Sequence, residues 1–389
     1  MKRALTSLAV AASLGLAAFS AQAQQTIKIG MILPMSGPFA DYGNQISRGA
    51  KLYMQRHGDT VAGKKIELVI KDDTGIAPEL TKRLAQELIG NEKVDIIAGF
   101  GLSPGALATA PLATQGKRPM VVMNAATSSI TTKSPNIVRV SHTLPQLSEP
   151  MAKWAAQNGI DKVYILVADF APGIDAETAF KKAYQAAGKQ VIGEVRVPVN
   201  NLDFGAFVQR IKDAKPNGVF LFLPPGEATI NFMKTWTERG LDKQGIKLLG
   251  TGDLTDDSLI EALGKPAIGT ITAAHYSAAH NSPLNKEYVS AYAKEFGDKS
   301  RSNFMSVAGY DGMALIYQAL KKTNGDAEVG KFIAAAKGAK WESPRGMIAI
   351  DPDTRDIVQT VYIRRTELQN GKLYNVEFDS FADQKDPGK

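Results

Sequence analysis

From Thr26 onward the chain alternates short apolar runs, rich in β-branched residues, with amphipathic helical stretches joined by brief turns. Strands separated by helices cannot pair as hairpins. They need crossover connections, and so run parallel in a sheet covered on both faces. The patterning predicts strands at Thr26 to Leu33, Lys65 to Lys71, Val94 to Ala98 and Met120 to Met123, with helices at Phe39 to Arg56, Pro78 to Ile89 and Pro104 to Thr114. A second series begins near Pro145 with a helix to Gln157. Strands follow at Val163 to Val167, Gln190 to Val197, Val219 to Leu223 and Lys247 to Leu249, interleaved with helices at Asp175 to Ala187, Phe204 to Lys212 and Ala228 to Arg239. The expected fold class is α/β, with two doubly wound parallel-sheet lobes.

No flexible linker separates the two series. Ile137 to Thr143 and Ile271 to Tyr276 are extended, β-branched or aromatic, and nearly free of Gly and Pro. They fit hinge strands crossing between lobes, and equally ordinary sheet strands. With crossings there, one lobe is expected over residues 24–141 and 276–352, the other over 142–275 and 353–381, with 382–389 as a C-terminal tail. A helical region from Pro283 to Lys322 with one break, then strands at Met347 to Ile350, Val358 to Arg364 and Lys372 to Phe378, complete the reading.

The start of the chain reads as an address. Lys2 and Arg3 precede an apolar run from Ala4 to Phe19, and Ala21-Gln22-Ala23 gives the small-x-small pattern of a signal cleavage site. A signal peptide is expected over residues 1–23, with the mature protein in a periplasm. No Cys follows the cleavage site to carry a lipid, and no later stretch approaches the roughly 18–20 apolar residues of a membrane span. The chain has no Cys at all, which removes disulfides, thiolate nucleophiles and iron–sulfur clusters, and its four His are scattered. No metal and no cofactor is expected. The net charge of +7 is dispersed rather than gathered in a block, so nucleic acid is not an expected partner.

Gly101-Leu102-Ser103-Pro104-Gly105 follows a strand and precedes a helix, as a nucleophile elbow does, and the order Ser103, Asp253, His275 suits a hydrolase triad. Pro104 opposes this. The oxyanion hole of such enzymes uses the backbone N–H of the residue after the nucleophile, which proline lacks, and one lost donor costs about 3–4 kcal/mol of transition-state stabilisation. A serine hydrolase using Ser103 is the remote reading. The same residues suit binding better: Ser103 as N-cap and Pro104 as first helical residue would point free amides and a positive dipole end at a carboxylate. A second tip, Asn124-Ala125-Ala126-Thr127-Ser128-Ser129, lies at the same sheet edge with small residues and hydroxyls, and the loop from Met35 to Gly43 adds Tyr42 as a side wall. No G-x-G-x-x-G follows the first strand, which disfavours a dinucleotide. Asp72 and Asp73 end a strand and are expected to form a turn or a solvated edge.

Met35-Ser36-Gly37-Pro38 with Asp41-Tyr42-Gly43, Asp72-Asp73, the Gly99 to Ser103 tip, Ala125-Ala126-Thr127 and Tyr310-Asp311 stand in this order behind the leader. With these marks the mature chain resembles the periplasmic branched-chain amino acid binding proteins, the type I solute-binding proteins of ABC importers. The resemblance implies two hinged lobes, a monomer, a small carboxylate ligand captured between the lobes, and delivery to the permease subunits of a transporter. It puts the ligand carboxylate at Ser103, Ala125 and Thr127, an aromatic contact at Tyr42, and apolar contacts at Gly101, Leu102 and Met305. The second lobe departs from the pattern. Its strand ends read Asp169-Phe170-Ala171-Pro172-Gly173 and Leu223-Pro224-Pro225-Gly226, without the tyrosines that hold an amino acid's ammonium group. Asp253 remains as an amine or polar-group partner, and burying an ammonium group on so few partners costs several kcal/mol. Phe170 with the paired prolines suits an apolar ring. The expected ligand is a branched-chain amino acid or related acid, with aromatic or other organic acids as the alternative.

Overall fold

The computed structural model describes residues 25–297 and 300–389, so the signal peptide expected over residues 1–23 lies outside the described residues. The first lobe opens with β1 (Thr26–Leu33), α1 (Ala40–His57), a hairpin of β2 (Thr60–Val61) and β3 (Lys64–Asp72), then α2 (Pro78–Gly90), β4 (Ile96–Gly99), α3 (Ser103–Gln115), β5 (Met120–Val122) and β6 (Ile137–Arg139). These strands form one sheet of order β2-β3-β1-β4-β5-β6, parallel apart from the β2–β3 pair. Ile29 to Leu33 of β1 is buried throughout, as a strand with helices on both faces must be.

The second lobe contains α4 (Leu144–Gln157), β7 (Lys162–Ala168), α5 (Ala171–Ala186), β8 (Gln190–Val197), α6 (Gly205–Ala214), β9 (Gly218–Phe222), α7 (Glu227–Glu238), β10 (Lys247–Thr251), α8 (Ile260–Leu263) and β11 (Ile271–Ala274). The chain returns to the first lobe with α9 (Pro283–Phe296), α10 (Phe304–Lys322) and α11 (Val329–Ala336), then adds β12 (Lys340–Ser343), β13 (Gly346–Ile350), β14 (Ile357–Gln369) and β15 (Lys372–Gln384). The second sheet runs β12-β13-β14-β11-β10-β9-β7-β8 with β15 on β14. Its part from β8 to β11 is parallel, and the late strands join antiparallel. None of the described helices is long and apolar enough to cross a membrane.

Helices α1 and α10 pack backbone to backbone. A Cβ on Gly49 would lie 1.8 Å from the Ser306 carbonyl oxygen, and one on Gly309 would lie 2.1 Å from that of Ile46, so only glycine permits this approach. It brings the start of α10, capped by the Asn303 side chain, against the hinge.

Several details differ from the sequence reading. Ile137–Arg139 and Ile271–Ala274 are sheet strands, and the crossings are the residues just after them. The last two strands run past the expected Arg364 and Phe378 because an Asn370-Gly371 turn, with φ of 52° and 78°, folds them into one long hairpin. In the C-terminal tail expected at residues 382–389, 382–384 close β15 and the residues beyond fold back. There Asp386 accepts from Ser128 Oγ at 2.6 Å and Thr143 Oγ1 at 3.0 Å, and Lys389 pairs with Asp356. Asp72 and Asp73 do form a turn, accepting the amides of Met35, Thr74 and Gly75 and the Thr81 hydroxyl.

Candidate functional site

The carboxyl ends of β1, β4 and β5 meet at one edge of the first sheet. After β4, Gly99 (φ 98°) and Phe100 (φ 66°) take left-handed conformations that turn the chain sharply into α3. The helix begins one residue earlier than expected: Leu102 is the N-cap, in extended conformation, and no side chain caps the helix. The Ser103 hydroxyl is used across the tips instead. Its Oγ accepts the amides of Ala126 (3.2 Å) and Thr127 (3.1 Å). With both lone pairs engaged, only the Ser103 O–H is left to donate to a guest.

At the second tip the backbone amides are already engaged. The Ala125 amide donates to Phe100 O at 2.9 Å, and that of Ser128 to Asp175 Oδ2 at 2.9 Å. The first turn of α3 supplies the donors at this edge, since its leading N–H groups have no acceptor within the helix.

A small cavity of about 30 Å³ lies between the lobes. Tyr42, Gly101, Leu102, Ser103, Asn124 and Ala125 form its first-lobe side. Phe170, Pro172, Phe222, Pro224 and Asp253 face them from the second lobe, and His142 enters from the crossing after β6. Phe170 and Phe222 are stacked at 6.1 Å between centroids. Asp253 follows β10 in a 3-10 turn, 8% exposed, and Thr251 Oγ1 donates to its Oδ2 at 2.7 Å. Burial pushes its carboxyl up to about 6, against the lowering effect of the Thr251 bond. Among the described residues it is the one acidic residue lining the cavity, and no Lys or Arg lines it.

Two residues expected at the ligand do not line the cavity. The Thr127 hydroxyl donates to Asp175 Oδ2 at 3.0 Å across the cleft, and Thr127 does not line the cavity. Met305 is buried in the first-lobe core at 1% exposure. It lies one helical position past Phe304, whose ring is the one turned toward the hinge against His142 and His275. Tyr42 lines the cavity from the first turn of α1 rather than from the loop.

Contacts across the cleft hold the lobes closed. Tyr42 donates its hydroxyl to Pro225 O at 3.1 Å, Ser258 Oγ donates to Asp41 at 2.9 Å, and Asp175 accepts from both Thr127 and Ser128. Burial first, and then the neighbouring Asp253, keep the Tyr42 phenol neutral.

Behind the site sit buried arginines that the sequence reading did not single out. Arg139 pairs with Asp356 at 2.8 Å and donates to the carbonyls of Ala125, Thr127 and Ser128, fixing the second tip. Arg345 pairs with Asp311 at 2.9 Å and grips the first crossing at Val140 O and Ser141 O. Arg364 donates to Tyr276 O in the second crossing and to Gly252 O beside Asp253. A lone charge inside an apolar run, as in Ile137-Val138-Arg139-Val140, was the signal available.

His142 was also missed. Its ring stacks on His275 at 4.7 Å, one from each crossing. Burial lowers His142 to about 3 and holds His275 well below the ordinary histidine value, so both are neutral. Among the described residues no triad is assembled: the Ser103 oxygen is taken by amides, Asp253 by Thr251, and neither ring nitrogen of His275 has a partner. His280 pairs with Glu377 at 2.8 Å on the second sheet.

The sequence profile described as periplasmic binding protein matches residues 26–372. A protein of Brucella melitensis named Leu/Ile/Val-binding protein homolog 6 is 45% identical over 388 residues, covering 100% of this chain and 98% of that one. The solute-binding protein of an ABC transporter from Rhodopseudomonas palustris BisB5, solved with 3,4-dihydroxybenzoic acid, is 56% identical with a TM-score of 0.90, covering 93% of this chain and 99% of its own. A second R. palustris solute-binding protein, solved with 4-hydroxybenzoate, is 46% identical with a TM-score of 0.91 over 94% and 99% of the two chains.

Proposed function

The chain belongs to the periplasmic binding protein family as the solute-binding protein of an ABC transporter, and we propose that its cleft captures an aromatic carboxylate of the benzoate class. The observation that carries this reading is the uneven chemistry of the cavity wall. Donors stand on the first lobe, at Ser103 and the start of α3, while the second lobe offers two stacked Phe rings, two prolines and a single buried acid. A carboxylate suits the first wall and a flat ring the second. Ala125 and Gly101 let the carboxylate approach, and Tyr42, Leu102 and Phe170 enclose the ring. The crystals of the R. palustris proteins with hydroxybenzoates support the same choice.

A branched-chain amino acid is the second reading, favoured by the names of the Brucella relatives. It would set the ammonium group against Asp253 alone, with aromatic rings where further acceptors are needed. The protein works in the periplasm as a monomer, without cofactor, metal or turnover. Capture draws the lobes together through the Tyr42, Asp41 and Asp175 contacts, and the transporter's permease subunits read the closed form. A thermal-shift panel of benzoates and aliphatic amino acids tests this. A ligand at about 100 times its Kd adds about 2.7 kcal/mol to stability. Stabilisation by benzoates is expected, and stabilisation by leucine, isoleucine and valine alone would overturn the reading.

A further inference from the structure

The geometry points to Asp253 as the residue that selects for a hydroxyl on the ligand's ring, with the His142–His275 stack as its backing; this rests on the aromatic-acid reading above. Asp253 faces the cavity from the lobe opposite Ser103. Thr251 satisfies one of its oxygens, and Oδ1 receives no side-chain hydrogen bond among the described residues. Beside it, His142 lines the same cavity with an Nδ1 that has no partner among the described residues, nor have the two nitrogens of His275 behind it. A crevice too narrow to hold a water joins His142, Asp253 and His275, closed by Leu147 and by the Phe304 ring, which stands edge-on to both imidazoles.

Buried polar atoms without partners are costly, and this cluster holds unpaired acceptors and an unpaired imidazole N–H together. The group that answers both is a hydroxyl, which donates to the Asp253 carboxylate and accepts from an imidazole. An ammonium group only donates, and an ether oxygen only accepts. Ionised Asp253 also repels the ligand's own carboxylate, which fixes the ring's orientation: acid end at Ser103, hydroxyl at Asp253. A site built to pair a hydroxyl rejects the analogue lacking it, because its own polar groups are then stranded.

Isothermal calorimetry with benzoate, 4-hydroxybenzoate and 4-methoxybenzoate tests this on the wild-type protein and on Asp253→Asn. Wild type is expected to prefer 4-hydroxybenzoate to both analogues by at least about tenfold, the worth of one charge-assisted hydrogen bond. In Asp253→Asn, 4-hydroxybenzoate is expected to lose at least about tenfold more affinity than benzoate does. Equal wild-type affinity for the three, or an unchanged preference in the variant, would overturn the assignment. The methoxy comparison needs no variant, so a folding failure cannot hide the answer. Binding of benzoate without preference would sink this inference and leave the aromatic-acid reading standing. Binding of none of the three would sink both.

Discussion

Ser103→Ala separates two jobs that one hydroxyl performs. Its oxygen accepts the Ala126 and Thr127 amides at 3.2 and 3.1 Å in a position 1% exposed, and its O–H is left for the ligand's carboxylate. A hydrogen bond to a charged group is worth about 1.5–3 kcal/mol, so Kd for a benzoate should rise roughly 10- to 150-fold. Stranding two buried amides costs about 1–3 kcal/mol each, which lowers the melting temperature of the unliganded protein by several degrees. Calorimetry with benzoate and benzamide reads the first effect and thermal melting the second. The variant should lose most of its preference for the anion over the amide. A lower melting temperature with benzoate affinity kept within about twofold of wild type, well under the tenfold that one such bond is worth, would mean that the hydroxyl only ties the two tips together, and the reasoning would fail.

Tyr42→Phe removes the hydroxyl that reaches Pro225 across the cleft, and should weaken ligand binding roughly fivefold, one ordinary hydrogen bond, by calorimetry. Arg139→Met leaves Asp356 buried beside Lys389 but frees the tip carbonyls of Ala125, Thr127 and Ser128; chemical denaturation should show a loss of about 3–5 kcal/mol. Gly309→Ala forces α1 and α10 apart at the Ile46 carbonyl, a loss of about 1–3 kcal/mol in the same assay. His142 and His275 stay neutral when folded but take up protons near pH 6.5 when unfolded, so their stabilising contribution is present above that pH and is lost as pH falls from about 6.5 toward 3. Asp253 at about 6 and Asp256 at about 7 act in the opposite sense, binding protons in the folded state first. Comparison with His275→Phe isolates one histidine: between pH 6.5 and 5 the variant should lose about 2 kcal/mol less than wild type, and parallel pH profiles would contradict the account.

The architecture was legible because parallel strands and their crossover helices leave long periodic signatures. Their ends were less so: β14 and β15 continue beyond their apolar runs on polar alternation, and β2, β12, α8 and α11 are too short to register. At the site, Ser103, Ala125, Gly101, Leu102, Tyr42, Phe170 and Asp253 could be found as tip residues, since strand ends of a parallel sheet converge on one edge, and the structure brings them to one cavity. Side-chain direction could not be read the same way. Thr127 turns from the cavity toward Asp175, and Met305 stands one step round α10 from the face that meets the hinge. His142, Phe222 and the buried arginines act through partners far along the chain, as Arg345 does on Val140, and no local pattern announces such pairs.

The most direct measurement is a crystal structure of the protein with 4-hydroxybenzoate. The account predicts the carboxylate within about 3 Å of Ser103 Oγ and the leading amides of α3, with the ring against Phe170 and the hydroxyl on Asp253. A ligand lying the opposite way round, with its carboxylate beside Asp253, or one bound outside the cleft, would contradict it.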